Sequence, residues 1–308
     1  MTAVVEAHEL RKSYGTHVAV AGLDLRVERG TVFGLIGPNG AGKTTMLRMI
    51  VDLIRPSGGT LLVLGVDPRS AHPALRRSIG YLPGEFRLSD RTTGAALLSR
   101  LAQLSGPIEP NAIEALAERL HLDLHRPARA LSKGNRQKLG LVQAFMHRPE
   151  LLVLDEPTSG LDPLVQREFL AMVREAREAG QTVLLSSHIL SEIQHTADEI
   201  AVLVEGRILS QGDVSSLRLS SVSRLRALIT DAAASDVWER LSRIPELADL
   251  TVDATASGGS LRITATIRGL VDPVVKALAA YSVRDLTIEE PDLEESVLDL
   301  YSRSNGTE

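Results

Sequence analysis

Residues Gly37-Pro38-Asn39-Gly40-Ala41-Gly42-Lys43-Thr44 fit the pattern G-x-x-x-x-G-K-[ST] and follow the apolar run Thr31-Val32-Phe33-Gly34-Leu35-Ile36. A strand feeding a glycine-rich loop that opens a helix is a cradle for phosphate. Gly37, Gly40 and Gly42 remove side chains where the backbone must curl with its N–H groups inward, and the helix N-terminus adds its own field. Lys43 then supplies a point charge for β- and γ-phosphates, and the Thr44 hydroxyl, with Thr45 beside it, a ligand for Mg²⁺. The loop alone marks a nucleotide-handling protein. Three later segments follow it in order: Leu131-Ser132-Lys133-Gly134-Asn135-Arg136-Gln137, Leu151-Leu152-Val153-Leu154-Asp155-Glu156-Pro157, and Ser186-Ser187-His188.

The second of these reads as a buried strand ending in two acids. A parallel strand covered on both faces delivers its last residue beside the phosphate loop, so Asp155 is expected to hold Mg²⁺ through water. Glu156 is then placed to polarise an attacking water as general base. Taken alone, the two acids would equally suit a solvated turn before Pro157; their companions favour chemistry.

These residues need a parallel sheet to bring them together. Strand patterns fall at Val4–Leu10, Leu23–Val27 and Thr31–Ile36, with a turn at Gly15. The phosphate-loop helix is expected from Lys43 to Ile54, stopped by Pro56, with Ser57-Gly58-Gly59 as its exit turn. Helical periodicity dominates from Thr92 to His147, an insertion spanning roughly residues 88–148. Strands return at Leu151–Asp155, Thr182–Ser186 and Ile200–Val204, separated by helices near Pro163–Ala179 and Leu190–Ala197, which is the rhythm of an α/β fold. Serine-rich chemistry after Leu217 suggests a boundary between units 1–217 and 218–303, with 304–308 a tail. The second unit reads as strand Leu225–Ile229, helix Asp236–Ile244, strand Leu250–Ala254, turn Ser257-Gly258-Gly259, strand Leu261–Ile267, helix Val271–Ala280, strand Val283–Ile288 and helix Leu293–Ser302. That order is a small α+β, ferredoxin-like arrangement.

Composition narrows the partners. The net charge is −5, and residues 219–308 hold 9 Lys/Arg against 15 Asp/Glu, so neither part carries the basic excess that nucleic-acid binding demands. Aromatics are 3% of the chain, few for stacking on bases. No nucleic-acid partner is expected. With no cysteine, disulfides and thiolate metal sites are excluded. Glu6 and Glu9 interrupt any apolar N-terminal stretch, so Met1–Leu10 does not read as a secretory signal. No run approaches the roughly 20 apolar residues that cross a bilayer, so any membrane role is expected to come through docking on another polypeptide. The pair His121 and His125 lacks an obvious third ligand and reads as a surface loop.

Leu131–Gln137 resembles the L-S-x-G-x-x-Q signature of ABC transporter ATP-binding subunits, and the resemblance covers residues 1–217. It implies a P-loop NTPase with an antiparallel β subdomain and a helical subdomain. It also implies ATP and Mg²⁺, and a head-to-tail dimer in which Ser132, Lys133 and Gly134 of one copy cap the γ-phosphate held by the other. Ser132 and Gly134 at a helix start offer a hydroxyl and N–H groups to an anion, although Ser132 equally suits an N-cap. Lys133 stands where the family usually has glycine. By the same resemblance, Tyr14 stacks on adenine, His188 contacts the γ-phosphate, and Ser159-Gly160-Leu161-Asp162 crosses between the two ATP sites. Asp162 before Pro163 is also a good N-cap. After Tyr81-Leu82-Pro83 the family has a glutamine that touches Mg²⁺ and relays to the membrane partner. This chain has Gly84 and then Glu85, leaving open whether Glu85 or water substitutes.

Leu82-Pro83-Gly84-Glu85, the signature Leu131–Asn135 and the C-terminal Leu293–Leu298 resemble the ABC-2, daunorubicin-resistance type of bacterial exporter subunit. That implies a motor at the cytoplasmic face of the cell membrane, attached through an integral-membrane permease. Drugs, antibiotics, lipids and polysaccharides all remain open as cargo. The alternative is a soluble ABC ATPase uncoupled from transport, and the C-terminal unit reads either as a ligand sensor or as a dimer clamp.

Overall fold

The computed structural model describes residues 3–70, 73–86, 92–105, 107–127, 130–189, 193, 196–213, 222–255 and 259–289. The chain divides into two compact units, Met1–Leu217 and Arg218–Glu308.

In the first unit, β1 (Ala3–Tyr14) and β2 (His17–Glu28) form a hairpin across Gly15, and β4 (Gly58–Val63) pairs with the other edge of β1. The main sheet has six strands, β3 (Val32–Ile36), β5 (Ile79–Leu82), β6 (Leu151–Leu154), β7 (Thr182–Ser187), β8 (Glu199–Val204) and β9 (Arg207–Asp213). Their order is β5-β6-β7-β3-β8-β9, parallel except for the antiparallel edge strand β9. Every residue of β3, β6 and β7 is buried, as parallel strands covered on both faces must be. Around them lie α1 (Lys43–Ile50), α2 (Pro73–Arg77), α3 (Gly94–Ser105), α4 (Ala112–Arg119), α5 (Lys133–Phe145) and α6 (Pro163–Glu178). The helical stretch between β5 and β6 thus comprises α3, α4 and α5 among the described residues.

Two local expectations are corrected. Helix α1 stops at Ile50 rather than Ile54, because Asp52 turns left-handed (φ 56°) and the Leu53 and Ile54 N–H groups both return to the Arg48 carbonyl. Gly58-Gly59 is not an exit turn but the start of β4. A Cβ on Gly59 would lie 2.3 Å from the Glu9 carbonyl oxygen, where the β1–β4 register slips between His8 and Arg11, so glycine here serves a bulge. The short strand β5 and the half-exposed β9 carry no periodicity strong enough to be read beforehand. The expected helix Leu190–Ala197 lies mostly outside the described residues, and Leu293–Ser302 and the tail lie wholly outside them.

The second unit runs β10 (Val222–Thr230), α7 (Ala234–Leu241), β11 (Leu247–Ala254), β12 (Ser260–Arg268), α8 (Asp272–Leu278) and β13 (Ser282–Glu289). Its strands pair antiparallel in the order β11-β12-β10-β13, each α-helix linking two strands that a third separates. Alternation along β10 and β12 buries Leu225, Ala227, Ile229, Leu261, Ile263 and Ile267 against Val237 and Leu241 of α7 and Val274 and Leu278 of α8.

Candidate active site

The functional segments of the first unit leave the sheet at the C-terminal ends of its parallel strands, where open α/β sheets gather their ligands. From β3 the chain enters the loop 37–42 and then α1. Two of its glycines are required by close approach: a Cβ would fall 2.0 Å from the Leu203 carbonyl oxygen at Gly37 and 2.4 Å from that of Ala19 at Gly42. Gly40 is different, with φ 83° and nothing within 4 Å of where a Cβ would stand. Inside the loop the buried Lys43 ammonium donates to the carbonyls of Gly37 (2.5 Å) and Pro38 (3.2 Å) and pairs with Glu156 Oε1 at 3.4 Å. A cleft of about 270 Å³ opens here, lined by Tyr14, His17, Ala19, residues 38–45 and Glu156. Tyr14 is half-exposed at its mouth, with the Lys12 ammonium 5.0 Å from its ring centroid; Lys12 is itself held by the Arg55 carbonyl at 2.8 Å.

The acids arrive on the loop after β6. Asp155 is almost fully buried, and its Oδ1 accepts from the hydroxyls of Thr44 (3.1 Å) and Ser186 (2.8 Å). Its Oδ2 is buried with no hydrogen-bond partner. Glu156 adopts a left-handed backbone (φ 47°), its N–H donating to Ser186 Oγ at 3.0 Å. The Glu156 side chain then spans two groups, Lys43 at Oε1 and His188 Nδ1 at Oε2, the latter 2.7 Å away. A carboxylate only accepts, so His188 must carry its proton on Nδ1. His188 follows the end of β7, which lies between β3 and β6, and that strand order brings it to Glu156.

The signature segment is built separately. Ser132 caps α5, its hydroxyl accepting the Asn135 N–H at 3.2 Å, and Lys133 Nζ donates to Ser159 Oγ at 3.0 Å. Gly134 lies against the Gly160 carbonyl, 2.6 Å from where a Cβ would stand. Asp162 caps α6, accepting the Leu164 and Val165 N–H groups, each at 3.1 Å. Those bonds, Val165 first, hold its carboxyl below the usual carboxylate range, and Lys138 nearby adds to the effect. None of Ser132, Lys133, Gly134 and Asp162 lines the cleft at Lys43.

The donor set suits a magnesium-bound nucleotide. A buried anionic oxygen without a donor is costly unless a cation meets it, and Asp155 Oδ2, beside the Thr44 hydroxyl that shares its carboxylate, is an oxygen of that kind for a hard, oxygen-seeking ion. Comparison with known proteins agrees. The family pattern described as ABC transporter matches residues 20–159. The chain is 35% identical to the daunorubicin/doxorubicin resistance ATP-binding protein DrrA of Streptomyces peucetius, over 97% of this chain and 91% of that one.

This chain belongs to the ABC transporter ATP-binding family.

It is also 33% identical to the bacitracin transport ATP-binding protein BcrA of Enterococcus faecalis, over 85% of this chain and 84% of the relative. A solved ATP-binding subunit of an ABC transporter superposes with a TM-score of 0.65 at 30% identity, covering 70% of this chain and 92% of that one. As an ABC ATPase, the subunit binds and hydrolyses ATP with Mg²⁺. At the position where the family carries glutamine, Gly84 packs against the acid itself: a Cβ there would stand 3.2 Å from Asp155 Oδ2. Glu85 is exposed.

Two residues of this ABC subunit were not singled out from sequence. Gln137, buried in α5, donates from Nε2 to the carbonyls of Glu156 (3.0 Å) and Pro157 (3.2 Å), tying the signature helix to the acidic loop of the same chain. Its signal was the last letter of L-S-x-G-x-x-Q. Ser186 bonds both acids, and its signal was a hydroxyl closing the apolar strand Val183-Leu184-Leu185.

Proposed function

We propose that the subunit closes with a second copy, head to tail, around two ATP molecules, and that this closure drives export through a separate integral-membrane permease at the cytoplasmic face of the bacterial membrane. The observation that carries the reading is the separation of two half-sites in one chain. Lys43, Thr44, Asp155, Glu156 and His188 form one connected group, while Ser132, Lys133 and Gly134 form another outside that cleft. A second copy supplies the missing half to each.

In this reading Tyr14 presents its ring to adenine, and the loop N–H groups with Lys43 bind the phosphates. Thr44 and Asp155 would hold Mg²⁺, which would supply positive charge to neutralise the phosphates. Phosphate oxygens compete with Glu156 for the Lys43 ammonium, which frees Oε1 to accept a proton from water while His188 keeps hold of Oε2. Ser132 and Gly134 of the twin then offer a hydroxyl and N–H donors to the γ-phosphate, so ATP favours the closed dimer through its larger set of contacts. Export as the direction is supported by the resistance and transport roles in the names of the two relatives.

The test is expression with its membrane partner, detergent extraction and affinity purification of the subunit. A polytopic protein should co-purify, and Glu156→Gln should slow hydrolysis and accumulate an ATP-bound dimer on gel filtration. A purely cytosolic subunit with wild-type turnover and no dimer in that variant would overturn the reading.

A further inference from the structure

A hydroxyl at the end of a fully buried parallel strand needs an explanation. β7 has both neighbours in place, with Leu185 level with Leu154 of β6 and Ser186 level with Leu35 of β3. Ser186 is completely buried, where an apolar side chain would fill the space without requiring partners. Instead its single oxygen is used twice. It donates to Asp155 Oδ1 at 2.8 Å and accepts the Glu156 N–H at 3.0 Å.

Each bond has a consequence for an adjacent acid. With Ser186 and Thr44 both donating to Oδ1, the Asp155 carboxylate is fixed in the rotation that leaves Oδ2 bare and buried. At Glu156 the bond anchors the backbone of a residue held at φ 47°, a conformation that a residue with a Cβ adopts only when its surroundings enforce it. That backbone directs the carboxylate between Lys43 and His188. One oxygen on the central strand therefore sets the aim of two consecutive acids from the neighbouring strand.

We propose that Ser186 is a positioning residue for ATP hydrolysis: it orients Asp155 toward Mg²⁺ and Glu156 toward the attacking water, touching neither substrate nor metal. The proposal rests on the reading of Asp155 as the metal-holding acid. Outer partners of this kind commonly contribute about 10- to 100-fold in metal affinity or activity.

The experiment uses the full chain with Ser186→Ala, Ser186→Cys, Ser186→Thr and Asp155→Asn. Mn²⁺ affinity in the presence of ATP is measured by electron paramagnetic resonance, ATP affinity without metal by fluorescence of a labelled nucleotide, and kcat and KM by phosphate release. Melting temperatures are recorded for each variant. Ser186→Ala is expected to lower Mn²⁺ affinity and kcat by about 10-fold or more, leaving metal-free ATP affinity and KM unchanged. Ser186→Thr, which keeps the hydroxyl, should restore both. Ser186→Cys fills the same space with a weaker donor and decides the matter if the alanine variant does not fold; it too should lower Mn²⁺ affinity at a wild-type melting temperature. Wild-type Mn²⁺ affinity and kcat in the folded alanine or cysteine variant would overturn the role of Ser186, as would a threonine variant that melts normally yet fails as alanine does. If Asp155→Asn itself keeps wild-type Mn²⁺ affinity, the metal-site reading falls instead.

Discussion

At the scale of single residues, the phosphate loop separates two reasons for glycine that its sequence pattern merges. Gly37 and Gly42 lie where a Cβ would strike the backbone carbonyls of Leu203 and Ala19, whereas Gly40 stands in open space with a positive φ. Gly37→Ala must therefore displace β8 or the loop, while Gly40→Ala faces only the left-handed cost of about 1–2 kcal/mol. Labelled-ATP binding should accordingly fall much further for Gly37→Ala than for Gly40→Ala; equal losses would contradict the steric account. Ser186 and Gln137 belong to this scale too. Their types were visible in the sequence, but hydrogen-bond partners from other strands and loops gave them meaning, and sequence spacing does not encode which carbonyl a buried amide meets.

At the scale of elements, α5 is held at its start and leads into a half-buried histidine just past its end. Its N-terminus carries the Ser132 cap and the Gln137 anchor, and the histidine is His147, with burial holding its pKa below the usual 6.5. The sign follows from linkage: an imidazole kept neutral by the fold but free to protonate when unfolded contributes stability that is full above about 6.5 and is lost as pH falls through the lowered value. Thermal melting at pH 7.5 and pH 5.5 should show a drop on acidification that His147→Gln makes smaller. An unchanged drop would mean that His147 titrates alike in the folded and unfolded states. Elements with strong periodicity, such as α6 and the apolar strands β6 and β7, were legible beforehand. β4 and β5 were not, since glycines at Gly58 and Gly59 and a four-residue strand look like turns until their partners β1 and β6 are known.

At the scale of the molecule, each unit has its own core, the first built on β3, β6 and α1 and the second on β10, β12, α7 and α8. The chain's one tryptophan, Trp238, sits in α7 and so reports on the second unit alone. Ile263→Ala, at a fully buried position, should cost that unit about 2–5 kcal/mol and lower the urea midpoint read by Trp238 fluorescence. Mg²⁺ and ATP should still raise the cassette transition read by far-ultraviolet circular dichroism, because the ligand binds only its folded form. An ATP-induced shift of the Trp238 transition as well would show that the two cores do not unfold separately.

The sequence by itself determined the family, the phosphate loop, the acidic strand end and the signature, because each is a local run whose chemistry needs neighbours only a few residues away. Tertiary structure decided which groups face one another. It placed β7 between the loop strand and the acid strand, so Ser186 meets Asp155 and Glu156, Lys43 meets Glu156, and His188 closes the row. It also left Ser132 and Gly134 apart from the cleft of their own chain. Strand order and side-chain aim arise from burial and pairing across long sequence separations, and no short pattern carries them.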